Sequence, residues 1–324
     1  MRSTSIPIPR PAAFDGWPYL GLLAVGAALW FLCARHPAML PFWAPWEFSW
    51  VEYLSTVLSL FWFARGLRRT APPARLAPWR RILFVLGVVM IYAVLETHFE
   101  YMAEHMFFIN RIQHIVMHHL GPFLIALGFP GETIWRGMPE PLKRPLRHPA
   151  LGAAMRVIQQ PALAAFLFVG LIYLWLYPPI HFRAMINPDL FALMNWSMVV
   201  DGILFWCLVL DPRPRPLART TYGIRLLIAF LVMLPQIALG SYIAFATRDY
   251  FPFYDLCGRL YPSFDALRDQ TWGGLIIWIP AAMMSVVGFL LILNFMRLNE
   301  DATAMEEPLD DQETIILSSR WTGR

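Results

Sequence analysis

The sequence has little charge and few cysteines for its 324 residues. Charged side chains make up only 15% of the chain, whereas soluble domains contain roughly 25%. The three cysteines, Cys33, Cys207 and Cys257, are far apart, so no CxxC pair indicates a thiolate metal site or a thioredoxin-like redox centre. The sequence also lacks a glycine-rich phosphate-binding loop, which argues against an ATP-driven machine.

Apolar residues are abundant instead. They account for 58% of the chain, and the mean hydropathy is +0.50. Because about 20 mostly apolar residues are needed to cross a bilayer, the sequence predicts an all-α membrane protein, a polytopic bundle of about eight transmembrane helices. We place the spans at residues 17–34, 50–67, 80–97, 112–129, 161–178, 192–210, 224–246 and 274–296. The second span carries Glu52 and several hydroxyl groups, and without it the count is seven.

Positive charge alternates between the predicted loops. The loops after spans two, four and six are rich in arginine, whereas those after spans one, three and five carry one arginine each: Arg35, Arg111 and Arg183. The positive-inside rule then predicts that both termini are cytoplasmic. We divide the chain into a cytoplasmic arm (1–16), a helical transmembrane domain (17–298) and an acidic cytoplasmic tail (299–324). The net charge of +4 resides in these short loops, so we predict no nucleic-acid partner.

Histidine is distributed unevenly along the chain. Seven of the eight histidines fall on the predicted outer side, and five of them lie within a stretch of 22 residues: His98, His105, His114, His118 and His119. Imidazole is a common transition-metal ligand and is costly to place near lipid. This one-sided cluster therefore predicts metal handling at the outer face.

The first part of this stretch follows the third span. If that helix continued, His98, Met102 and His105 would stack at positions i, i+4 and i+7 on one face. Imidazole with thioether suits copper, particularly Cu(I). The alternative interpretation is a solvated, amphipathic end of the helix, on which Glu100 and Glu104 meet water.

The second part begins the fourth span. His114 and His118 are one helical turn apart, a spacing that lets two imidazoles reach one ion. A buried imidazole needs a ligand or a polar partner, so the alternative is a pair of histidines hydrogen-bonded to Glu96, Gln113 or backbone carbonyls. On an α-helix His119 points about 100° away from His118, and we rank it below the other two.

Three more polar residues bear on the site. Asp201 lies inside the sixth span, so we expect it to face the bundle with an arginine or histidine as its partner. His36 and His181 each stand alone in a predicted outer loop. Either could join the cluster in space, but a lone histidine in an outer loop is more often solvated, and we interpret both in that way.

Several motifs follow one another from the fourth span onward. They are Gln113-His114 with Pro122 and Gly128-Phe129-Pro130, then Trp175 with Tyr177-Pro178, then Gly202 with Phe205-Trp206, and finally Asp269-Gln270 with Gly273-Gly274, Trp278 and Pro280. Over roughly residues 80–290, their order and spacing resemble the multi-pass CtaG family of cytochrome c oxidase assembly factors. Asn110, Tyr177 and Asn195 stand at or next to positions where that family carries histidine.

The resemblance implies a non-enzymatic assembly factor in the bacterial inner membrane. It would hold or pass copper at the outer, periplasmic face, with oxidase subunits or other assembly factors as its partners. On this hypothesis the copper ligands are His114 and His118, together with His98, Met102 and His105. Further candidates, as additional ligands or as residues that orient them, are His119, Glu96, Gln113, Asp201, Asp269 and Gln270.

Two other functions fit parts of the pattern. His114-x-x-x-His118-His119 looks like one histidine box of a membrane di-iron hydroxylase or desaturase, although no second box occurs in the sequence. Histidines on two neighbouring spans would also suit a b-type haem.

Overall fold

A computed structural model of the protein describes residues 16–261 and 263–306. In that part of the chain the structure is helical, with one isolated antiparallel bridge between Pro45 and Thr97 and no strand. The predicted all-α membrane class is confirmed. Nearly all of the predicted arm (1–16) and most of the predicted tail (299–324) lie outside the described residues.

Fifteen α-helices occur in the described part of the chain, and the π-helical segment Ile115–Leu120 joins α5 directly to α6. The helices are α1 (Trp17–Arg35), α2 (Trp50–Arg69), α3 (Pro78–Glu96), α4 (His98–His105), α5 (Phe107–His114), α6 (Gly121–Gly128), α7 (Gly131–Gly137), α8 (Glu140–Leu146), α9 (Pro149–Ile158), α10 (Pro161–Leu176), α11 (Pro178–Ile186), α12 (Pro188–Val209), α13 (Tyr222–Ala244), α14 (Phe253–Cys257) and α15 (Ala266–Glu306).

Each predicted span coincides with one of these helices or with a continuous series of them. Within the described residues, five helices are long and apolar enough to cross a membrane: α1, α3, α12, α13 and α15. Two further candidates are bent, one by 74° between α6 and α7 and one by 72° between α9 and α10. The described chain thus contains five to seven candidate spans. The predicted second span, α2, is a 20-residue helix that is not among these candidates, and its crossing and the orientation of the chain stay predictions.

The helix of the third span ends at Glu96, one residue before the predicted end of that span. Thr97 adopts extended backbone, and its hydroxyl accepts a hydrogen bond of 3.3 Å from the N–H of Phe99, which caps α4. The condition of one helix continuing from the third span to His105 is therefore not met, because α4 is a separate helix. α15 continues to Glu306, past the predicted start of the tail at residue 299, and the division into arm, transmembrane domain and tail stays a prediction.

The centre of the bundle forms around α5, the π-helical segment and α6. α5 packs on α15, and α6 packs on α3 and α12, while α10 and α13 contact each other nearby. α13 and α15 cross closely at Gly274, where a Cβ atom would lie 2.5 Å from the backbone nitrogen of Ala244. Only glycine permits this approach, which explains the glycine pair noted in the sequence.

Candidate functional site

The histidines of the fourth span lie where the helix changes its winding. α5 ends at His114, and the π-helical segment that follows contains both His118 and His119. Single π-helical turns inside α-helices frequently occur at functional sites. Both side chains are buried, their ring centroids are 4.8 Å apart, and both rings contact Phe168 of α10. Although they are neighbours in sequence, the two imidazoles reach different helices, because His118 pairs with Asp201 of α12 and His119 with Gln236 of α13.

Each of these two imidazoles has a polar partner on a neighbouring helix. His118 Nε2 lies 3.1 Å from Oδ2 of Asp201 in α12, which confirms the predicted inward-facing aspartate with a histidine partner. His119 Nε2 lies 2.8 Å from Oε1 of Gln236 in α13. The Gln236 amide is itself oriented, because its Nε2 donates to the Val232 carbonyl at 2.8 Å. A carboxylate and an amide oxygen accept hydrogen bonds, so the Nε2 atoms of both histidines carry the protons.

The opposite ring nitrogens are buried and have no hydrogen-bond partner among the described residues. These atoms are Nδ1 of His118 and Nδ1 of His119, and the same is true of Nε2 of His114. An unpaired polar atom in an apolar interior costs free energy. Such atoms therefore mark a place where a metal ion or a water molecule is stabilising.

A cavity of about 20 Å³ lies beside these nitrogens. All three histidines line it, together with the thioether of Met198 and the buried side chain of Arg111. Its volume holds about one water-sized particle. Imidazole with thioether is a soft ligand set that favours Cu(I). The positive charge of Arg111 disfavours a dication more than a monocation, since Coulomb repulsion scales with charge.

The side chains do not converge as a complete coordination shell. Across residues 16–261 and 263–306, no group of three or more histidine, cysteine, aspartate or glutamate residues is arranged to hold a metal ion. The chemistry available at the cavity is therefore that of two oriented imidazoles, with a third imidazole and a thioether beside them.

The first part of the histidine stretch lies away from this cavity. The ring of His98 packs between Phe42 and Trp46, with centroid distances of 5.4 and 4.5 Å. His105 Nδ1 lies 2.7 Å from the carbonyl oxygen of Tyr101 in its own helix. Met102 packs against a small apolar cluster. The structure does not bring these three predicted ligands to His114 and His118.

Glu96 and Gln113 are not the partners of the histidines either. Gln113 Nε2 donates to the carbonyl of Val94 at 2.8 Å, which ties α5 to the end of α3. Glu96 is fully buried and lines a largely apolar cavity of about 350 Å³ that also contains Glu52. Glu96 and Gln113 are therefore the wrong partners, although His118 does have a hydrogen-bond partner on another helix, as the alternative interpretation expects.

Residues 60–298 match the family described as cytochrome c oxidase caa3 assembly factor (Caa3_CtaG). The chain belongs to this family. No curated protein and no solved structure matches it. The family and the apolar helices together indicate a multi-pass membrane protein that takes part in oxidase assembly. The family is one of assembly factors, which suggests that the protein is not an enzyme.

The Asp-Gln motif of this Caa3_CtaG member joins helices. The carboxylate of Asp269 accepts hydrogen bonds from the N–H groups of Phe107 and Phe108, at 3.0 and 2.7 Å, and forms an ion pair with Arg259. It therefore caps α5, the helix that ends at His114. Gln270 accepts from the N–H of Tyr250 at 2.7 Å. Neither residue contacts a histidine of the cavity.

The departures from the family's histidine pattern lie outside the cavity. Asn110 is fully buried, where it accepts from Arg111 and donates to Gln113. Tyr177 is 58% exposed. Asn195 is buried and lines a separate cavity between α2, α4 and α12. None of the three lines the space beside His118 and His119.

Three residues near the site were missed or misjudged from the sequence. His181 is fully buried, and its Nε2 lies 3.2 Å from the hydroxyl of Tyr254. The prediction that it is solvated is wrong, because the loop around Phe251 and Tyr254 covers it. Gln236 could have been found as a polar side chain inside an apolar span. Nothing in the sequence distinguishes Met198 from the other methionines, of which the chain has sixteen in all.

Proposed function

We propose that this assembly factor holds Cu(I) between His118 and His119 during maturation of cytochrome c oxidase. The pair of free Nδ1 atoms carries the proposal. Metal-ligating histidines usually donate their second ring N–H to a carboxylate or carbonyl, which fixes the tautomer and the ring orientation. Asp201 and Gln236 supply such partners, each Nδ1 is left without a hydrogen bond among the described residues, and both histidines line the same small cavity.

His114 and Met198 complete the proposed site. Both line the cavity, and Nε2 of His114 has no hydrogen bond among the described residues. On this proposal, three imidazoles and the Met198 thioether would supply the ligands of one monovalent ion. The proposal keeps His114 and His118 as ligands, adds His119 as a principal ligand, and leaves out His98, Met102 and His105.

The two rival functions are less well supported. A b-type haem needs far more room beside its axial histidine than a cavity of about 20 Å³ provides. A di-iron enzyme needs several carboxylates or histidines around two ions, and the described residues contain no such group. An oriented pair of imidazoles beside a thioether suits a site that holds copper and releases it to a partner. We propose that the partner is a subunit of the oxidase or another assembly factor in the bacterial inner membrane.

The proposal is tested by loading purified protein with Cu(I) without oxygen and titrating it with a chromogenic Cu(I) chelator. We expect wild type to retain about one copper per chain. The double variant His118→Ala/His119→Ala should release its copper at chelator concentrations at least ten-fold lower. His36→Ala is the matched control, because His36 is exposed and lies far from the cavity in sequence.

X-ray absorption of the copper-loaded protein gives a second readout. We expect nitrogen ligands with a sulfur contribution that is lost in Met198→Leu. Unchanged copper retention in the double histidine variant would overturn the site. A deletion strain with normal oxidase activity at every copper concentration would overturn the copper-delivery role, whatever the purified protein binds.

A further inference from the structure

A second cavity, of about 330 Å³, is lined by acidic side chains. It lies between the start of α2, α4 and the first turns of α12, and its carboxylates are Glu47, Glu52, Glu100 and Glu104. No arginine or lysine lines it. It shares no lining residue with the histidine cavity.

These carboxylates have no salt-bridge partner within the described chain. None of the four forms a salt bridge with a residue in ranges 16–261 and 263–306. Burial, and then the carboxylates of Glu52, Glu104 and Glu47, raise the pKa of Glu100 well above its ordinary value. Burial and Glu47 also raise the pKa of Glu104, whereas the neighbouring His105 acts in the opposite direction. Like charges held together in this way are relieved by a bound cation.

An independent observation points into the same cavity. Asn195 lines it from α12, is only 1% exposed, and has no hydrogen-bond partner for its Oδ1 atom in the described structure. Leaving a buried amide oxygen unpaired costs free energy. An amide oxygen among carboxylates is the kind of donor that hard cations prefer.

We propose that this acidic cavity binds a hard divalent cation, such as Mg²⁺ or Mn²⁺, that keeps much of its water shell. The carboxylates surround a large space and do not converge as a group of three on one point. Mg²⁺ gives up water reluctantly, and one or two carboxylates commonly bind it with several waters retained. The site does not depend on the copper proposal, since its oxygen donors differ from the soft donors beside His118.

Mn²⁺ is the probe for this site, because binding diminishes the EPR signal of the free ion. We expect wild-type protein in lipid nanodiscs to bind one Mn²⁺, which excess Mg²⁺ displaces. Glu100→Gln/Glu104→Gln should raise the Kd at least ten-fold. Glu132→Gln is the control, since Glu132 is an exposed glutamate paired with Arg136 on α7, and it should bind Mn²⁺ like wild type.

Asn195→Asp keeps the test independent of folding defects. It adds a carboxylate to the cavity and should tighten Mn²⁺ binding several-fold. An unchanged melting temperature would verify that each glutamate variant is folded, so this site can fail or hold whatever the outcome of the copper measurement. The proposal is overturned by absent Mn²⁺ binding at millimolar concentration, by equal affinity in the double glutamate variant, or by pulsed EPR that finds no bound water on the ion.

Discussion

The carboxylate of Asp269 accepts a hydrogen bond of 3.0 Å from the backbone N–H of Phe107, although the two residues are 162 positions apart. The contact lets α15 cap the first turn of α5. Helix caps contribute about 1 kcal/mol, and the same carboxylate also pairs with Arg259. The start of the histidine-bearing span is thus held by a helix near the other end of the chain.

Replacing Asp269 by alanine should therefore destabilise the protein by about 3 kcal/mol. The substitution removes the cap and leaves Arg259 without its buried partner, a loss of the kind that costs a few kcal/mol. Thermal unfolding in detergent measures the effect. Asp255→Asn is the control, because it breaks the more exposed ion pair of the same arginine and should cost about 1 kcal/mol or less. Equal losses in the two variants would contradict the capping role.

Asp201→Asn should weaken copper retention while leaving the fold intact. An asparagine amide can donate to Nε2 of His118, which would move the imidazole proton to the nitrogen proposed to bind copper. Loss of such a supporting residue typically lowers metal affinity by about 10–100-fold. The matched control is Ser197→Ala on the same helix, where the hydroxyl contacts Trp175 instead. Chelator competition gives the affinities, and equal values for both variants would refute the role of Asp201.

Gly202 and Gly170 form a contrasting pair for alanine substitution. A Cβ atom at Gly202 would lie 2.3 Å from the backbone carbonyl oxygen of His118, whereas at Gly170 the nearest atom is 4.0 Å away. Gly202→Ala must push α12 from the π-helical segment, and overpacking costs about 1–3 kcal/mol. Gly170→Ala should be neutral or stabilise the protein by up to about 1 kcal/mol. Melting temperatures that move in the same direction would disagree with this packing.

The double variant His98→Ala/His105→Ala should retain copper like wild type. The rings contact Phe42, Trp46 and the Tyr101 carbonyl rather than the small cavity. Some loss of stability is expected, since aromatic packing around His98 is removed. Chelator competition measures copper retention in the double variant. A ten-fold loss of retention would indicate that His98 and His105 are copper ligands after all.

The sequence predicted the helices well because a lipid environment demands long apolar segments. It failed where one side chain or one backbone angle decides the outcome. The hydroxyl of Thr97 starts a new helix, and no hydropathy pattern shows that. Asp269-Gln270 was recognised as a motif, but its partners are backbone groups of distant residues, which have no sequence signature.

The site itself was predicted in part. His118 and the inward-facing Asp201 follow from the cost of burying polar groups in an apolar span. The proposal gives His119 a larger role than the sequence did, because its partner Gln236 lies 117 positions away on another helix. The burial of His181 depends on loop residues around Tyr254 that fold over it, so its neighbours along the chain could not reveal it.

The π-helical segment also sets the phase of the fourth span. One additional residue in a helix rotates everything beyond it by about 100°. Residues of α5 and α6 that would share one stripe on a regular helix therefore face different directions, and α5 packs on α15 while α6 packs on α3 and α12. Deleting a single residue from Ile115–Leu120 would leave the composition of the span almost unchanged, yet it would turn one of its two faces toward the wrong neighbour.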